Sequence, residues 1–147
     1  MKSLKYYIFI PLFLFFTSCS TVRTIPKLSK GQEYKLTKTL DLKGKDWILP
    51  EGATLVCASK GKIKNGIIVG QNSSVDYLQV ESVRFTGSFK SICISLQNDV
   101  DSLFYGITGV RALRIFGNGH IVRSTNFGLM RHVDVFFKDV MFDCSNC

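Results

Sequence analysis

Residues 60–70 read Lys-Gly-Lys-Ile-Lys-Asn-Gly-Ile-Ile-Val-Gly, with apolar side chains at 63, 67 and 69 and lysines in the alternate places before a bend at Asn65-Gly66. Such alternation predicts half-buried strands, and Asn-Gly supplies residues that tolerate a positive φ. The pattern returns loosely at 83–87, at 115–122 and at 133–143. Further alternating runs at 35–42, 47–49, 54–58 and 75–80 are each bounded by Gly, Asn, Asp or Pro, and no helical period of any length interrupts them. The domain is expected to be all-β.

Spacing separates a sandwich from a solenoid. Leu42 to Ile63 is 21 residues, Ile63 to Phe85 is 22 and Ile121 to Phe142 is 21. A fixed period of about 20 to 25 residues, with several strands in each, is the mark of a β-helix whose inward residues stack into apolar ladders. Those spacings also make Asn65-Gly66 a corner between stacked strands and not a hairpin turn. Phe85 to Ile121 is 36 residues and breaks the register. Within that gap, 96–105 is expected to be one short helix or a long loop thrown out from the coil.

The phrases Leu42-Lys43-Gly44-Lys45-Asp46-Trp47-Ile48-Leu49-Pro50-Glu51-Gly52-Ala53-Thr54-Leu55 and Gly61-Lys62-Ile63-Lys64-Asn65-Gly66 resemble the opening coils of right-handed parallel β-helix proteins of the pectate-lyase-like superfamily. Phe85-Thr86-Gly87-Ser88-Phe89 and Ile115-Phe116-Gly117-Asn118-Gly119 resemble its later rungs. The resemblance covers 36–145 and speaks for architecture more than for a reaction. In physical terms, Pro50 and Gly52 make a turn that ends one strand, and Thr54 and Leu55 begin the next.

The N-terminus carries an address. Lys2 and Lys5 precede an apolar run at 6–16 broken only by Pro11, the pattern of a secretory signal and too short for a spanning helix. Phe16-Thr17-Ser18-Cys19 resembles the lipobox of bacterial lipoproteins, with Phe16 where Leu is usual, as in lipoproteins of the Bacteroidetes type. That resemblance implies cleavage before Cys19 and its acylation, palmitate included, so that membrane lipid is a partner. By resemblance to known sorting signals, Ser20 after the cysteine implies the outer membrane, facing the periplasm or the surface. Two or three chains would anchor the protein firmly, since each buried methylene adds about 0.8 kcal/mol. Ordinary cleavage near Ser18, or an uncleaved anchor, is the alternative. The expected organisation is a signal peptide with a signal helix at 1–18, a basic, extended or disordered tether at 19–32, and a β-helix domain at 33–147, incomplete at its last rung.

Charge adds little to this. The chain has 19 Lys+Arg against 11 Asp+Glu, a formal net charge of +8 that falls to +6 without Lys2 and Lys5. The basic residues alternate with apolar ones, as on a solvated strand face, and the surplus suits anionic lipid, lipopolysaccharide or acidic polysaccharide. Nucleic acid is not an expected partner without a recognition motif, and no cofactor motif is present. Of five cysteines, Cys57, Cys93, Cys144 and Cys147 would remain as thiols, with three possible disulfide connectivities. Cys57 and Cys93 have apolar neighbours and are expected to be buried, and Cys144-Ser145-Asn146-Cys147 lacks the context of a redox motif.

Chemistry on a β-helix needs carboxylates or bases that meet on neighbouring rungs. The candidates are Asp134, Asp139 and Asp143 with Arg131, His132 and Lys138. Asp134 and Asp143 are nine apart, which places them on different strands of one coil. The bland reading makes Asp139 and Asp143 turn residues, Asp134 a solvent-facing strand residue, Asn118 a turn or ladder residue and His120 a surface residue. The expectation is therefore a membrane-anchored, exported, non-catalytic scaffold or carbohydrate-binding surface. The alternative is the N-terminal part of a polysaccharide lyase or glycoside hydrolase whose active site lies beyond residue 147.

Overall fold

The computed structural model describes residues 24–58, 61–125 and 134–145. Every described element is a strand: β1 (Glu33–Leu36), β2 (Leu40–Asp41), β3 (Asp46–Leu49), β4 (Thr54–Cys57), β5 (Lys62–Leu96), β6 (Val100–Asp101), β7 (Phe104–Thr125) and β8 (Asp134–Ser145). All pairings between them are parallel and belong to one sheet. Glu33 faces Thr54, Leu40 faces Ile63, Thr54 faces Ser74, Ile94 faces Ile115 and Ile121 faces Met141, in steps of 21, 23, 20, 21 and 20 residues. A chain that advances by one such step and pairs with itself is a parallel β-solenoid, here of about 5 turns.

The interior is a set of apolar ladders. Ile92 stacks on Leu113 and Ile94 on Ile115, all fully or almost fully buried, and Val100 stacks on Val122. Phe85 pairs with Phe104, their ring centroids 6.0 Å apart, and Phe89 closes on Phe85 at 5.9 Å. Trp47 lies over Ile68 and meets Tyr34 edge-on at 5.7 Å. Ile63 is inside, but after the bend the buried residue is Ile68, while Ile67 and Val69 are half-exposed. The bend at Asn65 (φ 56) shifts the inward phase by one residue.

Corners fall where the backbone turns left-handed. Asn65, Asn72 and Asn118 supply three of them, which suits a side chain that bonds locally and so tolerates a positive φ. The turn after β3 forms as its residues dictate: Ala53 N–H donates to the Pro50 carbonyl (3.0 Å) and Gly52 has φ 73. Ser73 is fully buried, and its hydroxyl donates to the Leu49 carbonyl (2.7 Å) while accepting from Gln71 N–H (3.1 Å).

Two expectations need correction. Residues 96–105 form neither a helix nor an expelled loop. Leu96, Val100, Leu103 and Phe104 are buried, and β6 keeps the register, so the coil is continuous. Its corner is built by side chains: Asn98 Oδ1 accepts from Ser82 N–H (3.0 Å) and Asp99 Oδ1 from Ile121 N–H (2.9 Å). The apparent gap of 36 residues came from equating Phe85 with Ile121, whereas Phe85 faces Phe104. Second, Asp143 is a strand residue in register with Arg123, since Phe142 and Cys144 beside it pack against the core. The segment 24–28 packs on the domain, with Leu28 buried and Ile25 against the core, and a turn in which Gln32 N–H donates to the Ser29 carbonyl (3.1 Å) leads into β1. The signal helix and Cys19 lie outside the described residues.

Candidate functional site

The registers place one outer face on 33–35, 54–56, 74–76, 91–95, 112–116 and 134–138. Residues between the buried ladder positions point away from the core, so Cys93, Arg114 and Phe136 form one outward row, and Ser95, Phe116 and Lys138 the next. An aromatic column crosses these rows. Tyr77 meets Phe116 at 5.9 Å between ring centroids and Phe116 meets Phe136 at 5.8 Å, both tilted by close to 60°. Tyr77 and Phe136 are each about half exposed, at 51 % and 48 %.

Tyr77 also has φ 46, uncommon for a bulky residue outside a turn motif. Asp76 and Arg114 flank the Cys93 thiol, which lies against the Tyr77 backbone. Burial pushes that thiol's pKa up, the opposite of what a reactive cysteine needs. Cys93 and Cys57 are free and half-buried, where burial was expected, and the Cys57 thiol donates to the Gly61 carbonyl (2.6 Å). Cys144 is disulfide-bonded, and Cys147 lies outside the described residues.

The second outer face is ionic. Lys62 Nζ lies 3.1 Å and Lys64 Nζ 3.9 Å from Glu81 Oε2, and Asp101 pairs with Arg123 at 3.6 Å. Arg123 is in turn in register with Asp143. His120, partly exposed, brings Nδ1 to 3.3 Å from Oδ1 of the exposed Asp99. These groups bind strands to each other, and their exposure keeps each pair weak.

Of the sequence candidates, Asp134 stands on the aromatic face and Asp143 on the ionic one, with Asp139 (φ 56) at the corner between them. The three therefore do not converge on one point. Lys138 is beside Phe116 on the outer face. Arg131 and His132 lie outside the described residues. The aromatic column was not among the candidates, although Phe116 and Phe136 are 20 residues apart, one coil step.

Three carboxylates have pKa values held below their ordinary range: Asp99 mainly by the Ile121 N–H, Glu81 mainly by Lys62, and Asp41 mainly by the Lys43 N–H. A carboxylate whose folded pKa is depressed contributes stability that is present above its unfolded pKa and lost as pH falls through the folded one. Thermal melting should therefore be flat from neutral pH to about pH 5 and decline below about pH 4. Asp99→Asn should flatten that decline; an unchanged acid limb in this variant would remove Asp99 from the account.

Comparisons of the chain with protein-family models, with curated proteins and with solved structures find no match.

Proposed function

We propose that this chain is an exported lipoprotein of the bacterial envelope, anchored through acylated Cys19, whose solenoid presents a non-catalytic surface to anionic polysaccharide. The observation that carries the binding reading is the column Tyr77–Phe116–Phe136 with Arg114 and Lys138 interleaved in the same rows. A pyranose offers a face of C–H groups that packs on the negative face of an aromatic ring, and its carboxylate or sulfate groups then meet the cations alongside. Phe116 and Phe136 stand one coil apart, which suits a polymer, because neighbouring sugars would meet neighbouring rings. The likeness of 36–145 to the pectate-lyase-like superfamily, with its right-handed coils, supports the same substrate class.

Binding is tested by pull-down of the purified protein on immobilised acidic and neutral polysaccharides. Retention on the acidic ones is expected, with about tenfold weaker binding for Phe136→Ala, as expected for the loss of roughly 1.4 kcal/mol of stacking. Equal binding by Phe136→Ala and Tyr77→Ala would refute the column as the site. Anchoring is tested separately by labelling cells with tagged palmitate: label on the parent and none on Cys19→Ala is expected, and label on both would exclude Cys19.

A further inference from the structure

An apolar groove of about 410 Å³ lies between β3 and the segment 24–28, and Ile25, Trp47, Ile48 and Pro50 line it together with the charged Lys27 and Asp46. Ile48 points outward between the buried Trp47 and Leu49 and is 55 % exposed. Its register partner in the next coil, Val69, is half-exposed, and so is Ile67, the partner of Asp46. One exposed isoleucine is unremarkable, but three outward apolar side chains continuous with an apolar groove form a patch of the kind that meets a partner or a membrane. Trp47 adds a second signal, because its buried Nε1 has no acceptor among the described residues. A buried donor of this kind usually has one.

The place of the groove in the chain points to its occupant. Only five residues separate Cys19 from Thr24, and Ile25 follows at once on the groove. Five residues span at most about 18 Å when fully extended. An acyl group on Cys19 would therefore hold the groove next to the bilayer at all times. Docking is then intramolecular, and a patch too small to bind lipid from solution is enough.

We propose that the groove, with Ile48, Ile67 and Val69, seats on the lipid surface that holds Cys19, so that the domain lies against the membrane by the β3 side of its first two coils. The proposal rests on the acylation of Cys19 proposed above. Lipid at this depth offers acyl methylenes to the isoleucines and ester carbonyls as acceptors, the mixed surroundings in which an indole is favoured. The aromatic column belongs to a different outer face, reached through the turn at Pro50 and Gly52, so docking leaves it free for glycan.

Trp47 is the only tryptophan of the chain, so its fluorescence reports on this groove alone. The protein purified from membranes is reconstituted, without glycan, into vesicles of phosphatidylethanolamine and phosphatidylglycerol. Some of the lipid carries a nitroxide, either near the headgroup or near the end of the acyl chain. Nitroxides quench an indole only at close range. Flotation with the vesicles is expected, with quenching by the shallow nitroxide stronger than by the deep one. Ile48→Asp should still float but have its docked-to-undocked ratio lowered by about tenfold or more, because an apolar contact is replaced by a charge against lipid. Ile48→Leu should be quenched like the parent, and since the position is exposed, melting curves matching the parent confirm that both variants fold. A parent that floats without shallow quenching, or an Ile48→Asp variant quenched as strongly as the parent, would overturn the docking while leaving the anchor in place. A parent that does not float would overturn both together.

Discussion

Gly66→Val is expected to destabilise the fold by about 3 kcal/mol or more, seen as a fall in Tm on the order of 10 °C. Gly66 follows the corner at Asn65, and a Cβ built on it would run into the Leu42 side chain and lie 2.7 Å from the Lys45 carbonyl oxygen. Neither neighbour can retreat. Leu42 is almost fully buried and donates its N–H to the Lys64 carbonyl (2.8 Å), and the Lys45 carbonyl accepts from Ile67 N–H (3.2 Å). Valine adds two methyl groups to a Cβ that already has no room. Gly119→Ala is the matching control, since φ there is +88 but nothing lies within 4 Å of the added carbon. It should lose only the backbone term of about 1 to 2 kcal/mol. A Gly66→Val protein that melts with the parent would show that coils do not pack this closely at the corner.

The period of the solenoid is legible because its cause is local in sequence. One coil needs about 21 residues to return to the same point, so apolar residues recur near that interval, and Asn or Gly marks the corners. The residues in register are nevertheless Leu40 with Ile63 and Val122 with Phe142, not Leu42 with Ile63 or Ile121 with Phe142. Where a corner is made by tertiary bonds the signal disappears. Asn98 and Asp99 look like a polar loop, and Leu96, Val100 and Leu103 have helix-like spacing, yet the polar pair closes a corner by bonding to Ser82 and Ile121 in neighbouring coils. A sequence cannot show a partner 16 or 22 residues away whose role is a backbone N–H. The aromatic column is intermediate: Phe116 and Phe136 repeat at one coil, but Tyr77 is 39 residues from Phe116 and enters the column through a left-handed backbone. Asp143 looks like a turn residue for the opposite reason. An aspartate between Phe142 and Cys144 is an ordinary outward strand position once its neighbours are seen to face the core.

Phe85→Ala should cost about 3 to 5 kcal/mol, a large part of the 5 to 15 kcal/mol typical of a whole domain. Phe85 is fully buried, in ring contact with Phe89 and Phe104, and Phe104 reaches Phe142 of the last described strand at 6.4 Å. Removing the first ring therefore leaves a cavity that the others cannot fill without breaking their own stack. The exposed Phe136 provides the contrast, because truncating it should leave melting within about 1 kcal/mol of the parent while weakening glycan binding. In a solenoid each coil touches only its neighbours, so the loss should spread unevenly. Hydrogen exchange should speed up at 100–125 more than at 40–56, because the later coils rest on the Phe85–Phe104 step and the first coils do not. Equal acceleration along the chain would mean that the coils melt as one cooperative block, and that the ladders couple over longer distances than nearest-neighbour stacking provides.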